Sequence, residues 1–203
     1  AAGGIKSCAD LKGKVVAVGN PGSGTRQNSQ DAMATCGLTF DDLAKAEGIK
    51  PAEAAGLLQD GRLDAYFYTV GHPNGSIKEA AVGGTVVRFI PFTNVDELIK
   101  RNPFYSKAVV PVKLYPGVEN KEDVPTFGVK ACLLTTDTVP DEVVYTITKE
   151  VFENFSTFLT LHPALADLKK EEMLRGMPIP FHPGALKYYK EVGLDKFIQI
   201  PGR

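Results

Sequence analysis

Short apolar runs alternate with amphipathic segments over the first hundred residues of the chain. The apolar runs predict three strands, over 14–18, 63–70 and 85–90. The second run is nearly continuous, which is typical of a strand covered on both faces. The segments between and after them predict helices, over 25–36, about 51–60, and from the turn at 71–74 to about residue 82. Strands alternating with helices at short spacing predict an α/β fold with a parallel sheet and right-handed crossovers.

The second half of the chain has a different pattern. Prolines interrupt residues 102–125, where little helix is predicted, and further strands are predicted over 108–112 and 127–135. Pro140 begins the clearest helix, because acidic residues fill its first turn. An apolar stripe on that helix must pack on something, and consists of Val144, Ile147, Val151, Phe155 and Phe158. Two more helices are predicted, over 163–175 and at the end of the tail 180–189.

Composition and charge exclude several classes of partner. The 203 residues carry 23 basic and 24 acidic side chains, so the net charge of −1 provides no electrostatic surface for nucleic acid. No Lys/Arg cluster suggests a membrane surface, and no apolar run approaches the roughly 18 residues that span a bilayer. We therefore expect an ordinary soluble globular protein.

Cysteines and histidines give no sign of a metal or cofactor. Cys8, Cys36 and Cys132 are widely spaced and contain no C-x-x-C pair. One disulfide and one free thiol would fit an oxidising compartment, but the interpretation that we adopt from the sequence is three buried free thiols. The three histidines lie far apart and each precedes a proline; we interpret His72 as a loop residue rather than a base. No metal and no cofactor are predicted.

The glycine-rich segment Gly19–Arg26 follows the first predicted strand and begins the first long helix. Such a corner leaves backbone N–H groups unpaired at the positive end of a helix, so it is predicted to bind an anion. We expect the side chains of Ser23 and Thr25 and the N–H groups of Gly24 and Thr25 to contact a carboxylate. A plain helix cap is the alternative for the two hydroxyls. Arg26 is predicted to clamp the same carboxylate, with an ordinary surface arginine as the alternative.

Two nucleotide-binding motifs come close to this segment and fail. Gly19 and Gly24 have the spacing of the Walker loop, but Thr25 stands in place of the lysine and Arg26 in place of the magnesium-binding hydroxyl. Gln27 stands where a dinucleotide fingerprint needs its third glycine. A glycine turn that joins strand to helix and binds nothing is the remaining alternative.

A second corner rich in small polar residues follows the second predicted strand. Ligands of open parallel sheets bind beyond the carboxyl ends of the strands, so both corners are expected on one edge of the sheet. Thr69, Gly71 and Asn74 are predicted to form the second corner, with an Asn-stabilised turn as the alternative. Tyr68 and Tyr115 are predicted to line the cleft or hinge, with simple packing as their alternative.

Several motifs, in order and spacing, resemble one family over nearly the whole chain. They are Gly22–Arg26, Gly37–Leu43, Asp60–Ala65, Pro91–Val112, Tyr115–Gly117, Val143–Lys149 and the distinctive tail Ile179–Tyr189. The chain resembles the TAXI family, the solute-binding receptors of tripartite ATP-independent periplasmic (TRAP) transporters. The resemblance implies a type II-like periplasmic-binding-protein fold, in which a hinge joins two α/β lobes around a small carboxylate. Family ligands are glutamate, glutamine or 2-oxo acids.

The resemblance also implies a place and a partner. Such a receptor is extracytoplasmic, is no enzyme, and touches the membrane only through the transporter subunits to which it delivers its solute. The resemblance implies an earlier lobe segment ahead of residue 5, and we expect the chain to be a truncated or naturally split form without it. We therefore expect 5–118 to form a βαβαβ ligand-binding lobe with a hinge-proximal segment, and 119–203 to supply a hinge strand and helices of an incomplete second lobe. The apolar stripe would then lack part of its packing partners, and a dimer or extra exposure of the stripe would follow.

Two other functions compete with the receptor. A cytosolic ligand-sensing domain could share a two-lobed fold, although no DNA-binding segment accompanies this one. A serine-dependent acyl-transfer enzyme would use Ser23 as its nucleophile, but the chain has no G-x-S-x-G and no histidine with an evident aspartate partner.

Overall fold

The computed structural model describes residues 4–199, which fold into two compact units. The first unit runs to Arg101 and resumes over Ser106–Gly128; the second comprises Asn102–Tyr105 and the chain from Val129 onward. The predicted assignment of 5–118 and 119–203 to two lobes stays a prediction.

A three-stranded parallel sheet organises the first unit, and it confirms the predicted α/β class. Its strands are β1 (Val15–Ala17), β2 (Lys45–Glu47) and β3 (Ala65–Tyr66), in the order β2-β1-β3. Its first two connections are the helices α1 (Gly24–Ala34) and α2 (Pro51–Gln59). In register, Ala17 of the central strand lies opposite Glu47 on one side and Tyr66 on the other.

Both faces of this sheet are covered, as the alternation of side chains along β1 requires. Val16 and Val18 pack in one cluster with Met33 of α1. Ala17, between them, packs in another cluster with Ala54 of α2. The central strand is thereby fixed between two apolar layers, so the loop that leaves its carboxyl end has a rigid base.

A disulfide lies at the edge of the first cluster. Cys8 and Cys36 are bonded, with Cα atoms 6.1 Å apart, and Cys132 is exposed and free. The prediction of three buried free thiols is therefore wrong. It failed because the thiols meet only when α1 packs on the segment before β1, a tertiary contact that spacing along the chain does not reveal.

Strand membership differs from the prediction. The predicted strand over 85–90 is wrong, since residues 86–90 lie outside helices and strands. The remaining strand of the three-stranded sheet is β2 instead, a three-residue segment whose Lys45 and Glu47 side chains form an ion pair at 2.7 Å. A strand this short and charged has no apolar run to show, and the long run over 63–70 shortens to the two residues of β3.

A two-stranded sheet and two further helices follow. The strands are β4 (Tyr105–Val110) and β5 (Val124–Val129), and the helices are α3 (Gly75–Val82) and α4 (Asp96–Arg101). The strand predicted over 127–135 thus ends at Val129. Residues 130–138, which follow it, are exposed, with Leu133 88% accessible.

The second unit is built on two packed helices, α5 (Asp141–Glu153) and α7 (Pro183–Glu191). Phe152 of α5 is 2% exposed and packs against Tyr188 and Tyr189 of α7. The predicted stripe is only partly used: Val144 and Val151 join this core, whereas Ile147 is 46% exposed.

Two helix predictions in this unit are wrong in extent. The predicted helix is interrupted at Asn154, so Phe155 and Phe158 belong to a separate helix, α6 (Phe155–Thr160). The helix predicted over 163–175 is replaced by two single 3-10 turns, Pro163–Leu165 and Glu172–Leu174.

Candidate functional site

The loop after β1 is shaped by close contact between Gly19 and the start of α1. Gly19 has φ +90°, and a Cβ atom there would lie 2.8 Å from the backbone nitrogen of Arg26 and 3.1 Å from Ser23 Oγ. No side chain fits in that space. Glycine at this position lets the loop fold back on the helix it precedes.

The first turn of α1 presents backbone donors. Ser23 is the N-cap, and its Oγ accepts the Arg26 N–H at 3.2 Å. Within residues 4–199, the N–H groups of Gly24 and Thr25 have no acceptor. Gly24 is exposed and Thr25 half-buried, so both N–H groups lie at an accessible, positive helix end.

Three hydroxyl groups surround this turn, and each accepts one hydrogen bond from the protein. Ser23 Oγ accepts from Arg26. Thr25 Oγ1 accepts the Thr69 N–H at 3.4 Å, and Thr69 Oγ1 accepts from Asn28 Nδ2 at 2.9 Å. A hydroxyl that accepts from the protein keeps its own proton for a ligand. The corner therefore offers two N–H and three O–H donors, all of them uncharged.

The contact between Thr25 and Thr69 lies at a defined place in the sheet. β1 leads through α1 to β2 on one side, while β3 lies on its other side. The carboxyl ends of β1 and β3 thus border a topological switch point, which is where open α/β sheets bind ligands. Both donor-rich corners of the sequence meet there.

Arg26 takes a different position from its neighbours. Its Nη1 donates to the Gly19 carbonyl at 3.3 Å, and its guanidinium lies 4.9 Å from the centre of the Phe40 ring. These contacts brace the loop from the β2 side, where Gly48 is also close. A carboxylate clamp by Arg26 stays a prediction.

The second corner is held from beneath by Tyr115. Asn74 is the N-cap of α3, and its Oδ1 accepts the Ile77 N–H at 3.1 Å. The Asn74 N–H donates to the hydroxyl of Tyr115 at 2.9 Å, and that hydroxyl also lies 2.7 Å from His72 Nδ1. Tyr115 is 0% exposed, so its hydroxyl supports the loop from within the core. Its predicted contact with a ligand stays untested.

The remaining residues predicted for this corner differ in exposure. Thr69 and Gly71 are exposed, whereas Tyr68 is half-buried and packs against the cluster that contains Tyr115. Burial lowers the pKa of His72 from its usual 6.5, so the imidazole is neutral at pH 7.

Sequence reasoning missed three residues that build the site. Asn28 bonds to Thr69, and Ser29, wholly buried, donates from its hydroxyl toward the Val18 carbonyl at 2.9 Å. Asn28 follows Thr25 by three residues on a helix, and this spacing was a usable signal. For His72 no local signal exists, since its partner Tyr115 lies 43 residues away.

The first unit is an α/β unit with a parallel sheet and uncharged donors at its switch point, the place where open α/β sheets bind ligands. The chain matches the family model described as the NMT1-like family over residues 1–193, and it belongs to that family. The predicted resemblance is thus confirmed at the level of the NMT1/TAXI-like periplasmic binding proteins. Membership suggests a solute-binding protein, and the family is generally one of binding proteins rather than enzymes.

Two structural facts bear on location. The Cys8–Cys36 disulfide favours an extracytoplasmic site, because thiols are kept reduced in the cytosol. Within residues 4–199, no helix combines the length and the apolar character that crossing a bilayer requires.

Proposed function

We propose that the chain is the extracytoplasmic solute-binding subunit of a TRAP-type secondary transporter, and that it captures a small carboxylate of the glutamate, glutamine or 2-oxo acid class. The membrane subunits of that transporter would receive the solute. The observation that carries the proposal is the Thr25–Thr69 contact, which joins the two donor-rich corners at the sheet's switch point.

The chemistry of the donors supports a carboxylate. Its two oxygens carry about four lone-pair sites, and the corner offers N–H donors from Gly24 and Thr25 and O–H donors from Ser23, Thr25 and Thr69. Hydrogen bonds to an ionised acceptor are about twice as strong as neutral ones. The helix end adds a partial positive charge of roughly half an elementary charge.

The competing functions have less support. A cytosolic sensor would have to keep the Cys8–Cys36 disulfide in a reducing compartment. An acyl-transfer enzyme would need a base next to Ser23, whose Oγ contacts the Arg26 N–H instead. No histidine contacts Ser23 among the residues that the structure describes.

Binding is tested by thermal unfolding and calorimetric titration with L-glutamate, L-glutamine and 2-oxoglutarate, with products followed by mass spectrometry. We expect one of these acids to stabilise the protein and to be recovered unchanged. Conversion of the acid, or no response to any of the three, would refute the proposal.

A matched pair of serine variants separates recognition from stability. Both serines stand at helix starts in the first unit: Ser23 Oγ accepts the Arg26 N–H at 3.2 Å, and the Ser7 hydroxyl donates to the Asp10 carboxylate at 2.9 Å. S23A and S7A therefore each remove one local hydrogen bond and should each lose roughly 1 kcal/mol of stability. Only S23A removes a donor from the corner, and it should weaken binding about tenfold. Equal affinities in the two variants would place the ligand elsewhere.

A further inference from the structure

We propose that Tyr115 and His72 are positioning residues, which hold the 69–74 loop in its binding shape only while the imidazole is neutral, so that ligand binding weakens in acid. This inference rests on the proposed function for its effect on binding. The hydrogen bonds among the Tyr115 hydroxyl, the His72 imidazole and the Asn74 N–H can be tested without a ligand.

Counting protons fixes the direction of each hydrogen bond around the buried hydroxyl. The Tyr115 hydroxyl accepts the Asn74 N–H at 2.9 Å and has one proton of its own. The atom available to take that proton is His72 Nδ1, 2.7 Å away. His72 therefore carries its proton on Nε2 and accepts at Nδ1.

Protonation of His72 breaks this arrangement. Nδ1 would become a donor, and both it and the Asn74 N–H would point at the phenol oxygen. The phenol proton would then have no acceptor. Tyr115 is 0% exposed, so its hydroxyl cannot turn to water without opening the loop. A buried donor left unpaired shifts an equilibrium by roughly 5- to 150-fold.

The surroundings favour the neutral imidazole. Burial is the cause that lowers the pKa of His72, and no charged group among the described residues adds to it. His72 also precedes α3, whose positive end disfavours a cation. Tyr115 interacts electrostatically with Tyr66, and Tyr66 with Tyr68 and with Glu79 of α3. These groups act on Tyr66 rather than on the imidazole.

The loop connects this triad to the donor corner. Thr69, three residues before His72, bonds to Thr25 and Asn28, and Asn74 caps α3. The backbone from 69 to 74 is thus tied at both ends. Releasing the Asn74 end frees the segment that presents Thr69.

The test compares three variants with the unmodified protein between pH 7.5 and 5.0, with L-glutamate as the titrant. H72N keeps an acceptor near the position of Nδ1 but cannot titrate. H162N is the matched control, because His162 is also followed by proline and its Nδ1 is also an acceptor, in this case of the Ala164 N–H at 3.0 Å. Y115F removes both hydrogen bonds.

We expect affinity to fall at least fivefold toward pH 5.0 in the unmodified protein and in H162N, and to stay within about twofold in H72N. Y115F should bind weakly at every pH. A fall in H72N as steep as in the unmodified protein, or a flat profile in the latter, would overturn the proposal.

Amide exchange of Asn74, measured by NMR in the protein without ligand, provides the independent readout. After correction for intrinsic rates, its protection should decrease in acid in the unmodified protein and persist in H72N. If glutamate binds at no pH, the proposed function fails for that acid, while unchanged Asn74 protection would separately refute the positioning role. H72N allows both measurements even if Y115F does not fold.

Discussion

Substitution of Gly19 by alanine tests whether the donor corner depends on the close approach of its loop to α1. An alanine there would place its Cβ 2.8 Å from the Arg26 nitrogen, inside the contact distance of real Cβ atoms. The Arg26 N–H is the group that Ser23 caps. The loop or the helix must therefore move, and either movement disturbs the N–H groups of Gly24 and Thr25.

The loss of stability expected in G19A has two parts, which substitutions at two control glycines separate. Gly13 and Gly22 also have positive φ, +70° and +78°, but a Cβ at either would meet nothing within 4 Å. G13A and G22A should each lose about 1–2 kcal/mol from the left-handed backbone alone. G19A should lose that amount and a further roughly 1–3 kcal/mol from the overlap.

Urea unfolding followed by far-UV circular dichroism measures these losses, since the chain has no tryptophan. Titration with L-glutamate then compares the affinities of the folded variants. We expect G13A to bind like the unmodified protein and G19A to bind at least tenfold more weakly. If G19A is no less stable than G13A and G22A, the overlap is relieved elsewhere and the reasoning fails.

Two further predictions concern stability. Reducing the Cys8–Cys36 disulfide, which closes a loop of 28 residues, should lower the free energy of unfolding by about 3–4 kcal/mol. The control C132S should change it by less than about 0.5 kcal/mol. Thiol titration should count one thiol before reduction and three after it, and equal urea midpoints of the oxidised and reduced protein would contradict the bond. A Cβ at Gly184 would overlap the backbone of α5, so G184A should lose about 1–3 kcal/mol of stability. Gly56 lies in open space on α2, so G56A should gain about 0.5–1 kcal/mol. A thermal scan that finds G184A more stable than G56A would refute the contact between α7 and α5.

Local chemistry made the donor corner visible in the sequence. An apolar strand, a glycine turn and a run of hydroxyls are neighbours along the chain, and α1 begins at Gly24, one residue before the predicted start. The cap role of Ser23 is likewise a local property, since its partner is three residues away. Such features depend on few residues, so elementary rules of helix ends suffice to find them.

Features that depend on distant partners were not visible. The disulfide joins residues 28 apart, and the Tyr115 hydroxyl bonds to a loop more than 40 residues before it. β2 escaped because Lys45 and Glu47 are held by pairing with the central strand, not by an apolar run of their own. Tertiary contact overrides local preference most easily in strands of two or three residues.

The placement of the two corners survived the wrong choice of strands for a topological reason. The predicted parallel sheet contained the strands that end near residues 18 and 70 but did not include β2. The carboxyl ends of parallel strands lie at the same edge of a sheet whatever other strands join it, so the two loops must lie at that edge. β2 adds on the far side of β1, which leaves β1 and β3 adjacent and allows Thr25 to meet Thr69 directly. Had β2 inserted between them, an additional strand spacing of about 4.8 Å would have put the Thr69 N–H beyond hydrogen-bond reach of Thr25 Oγ1.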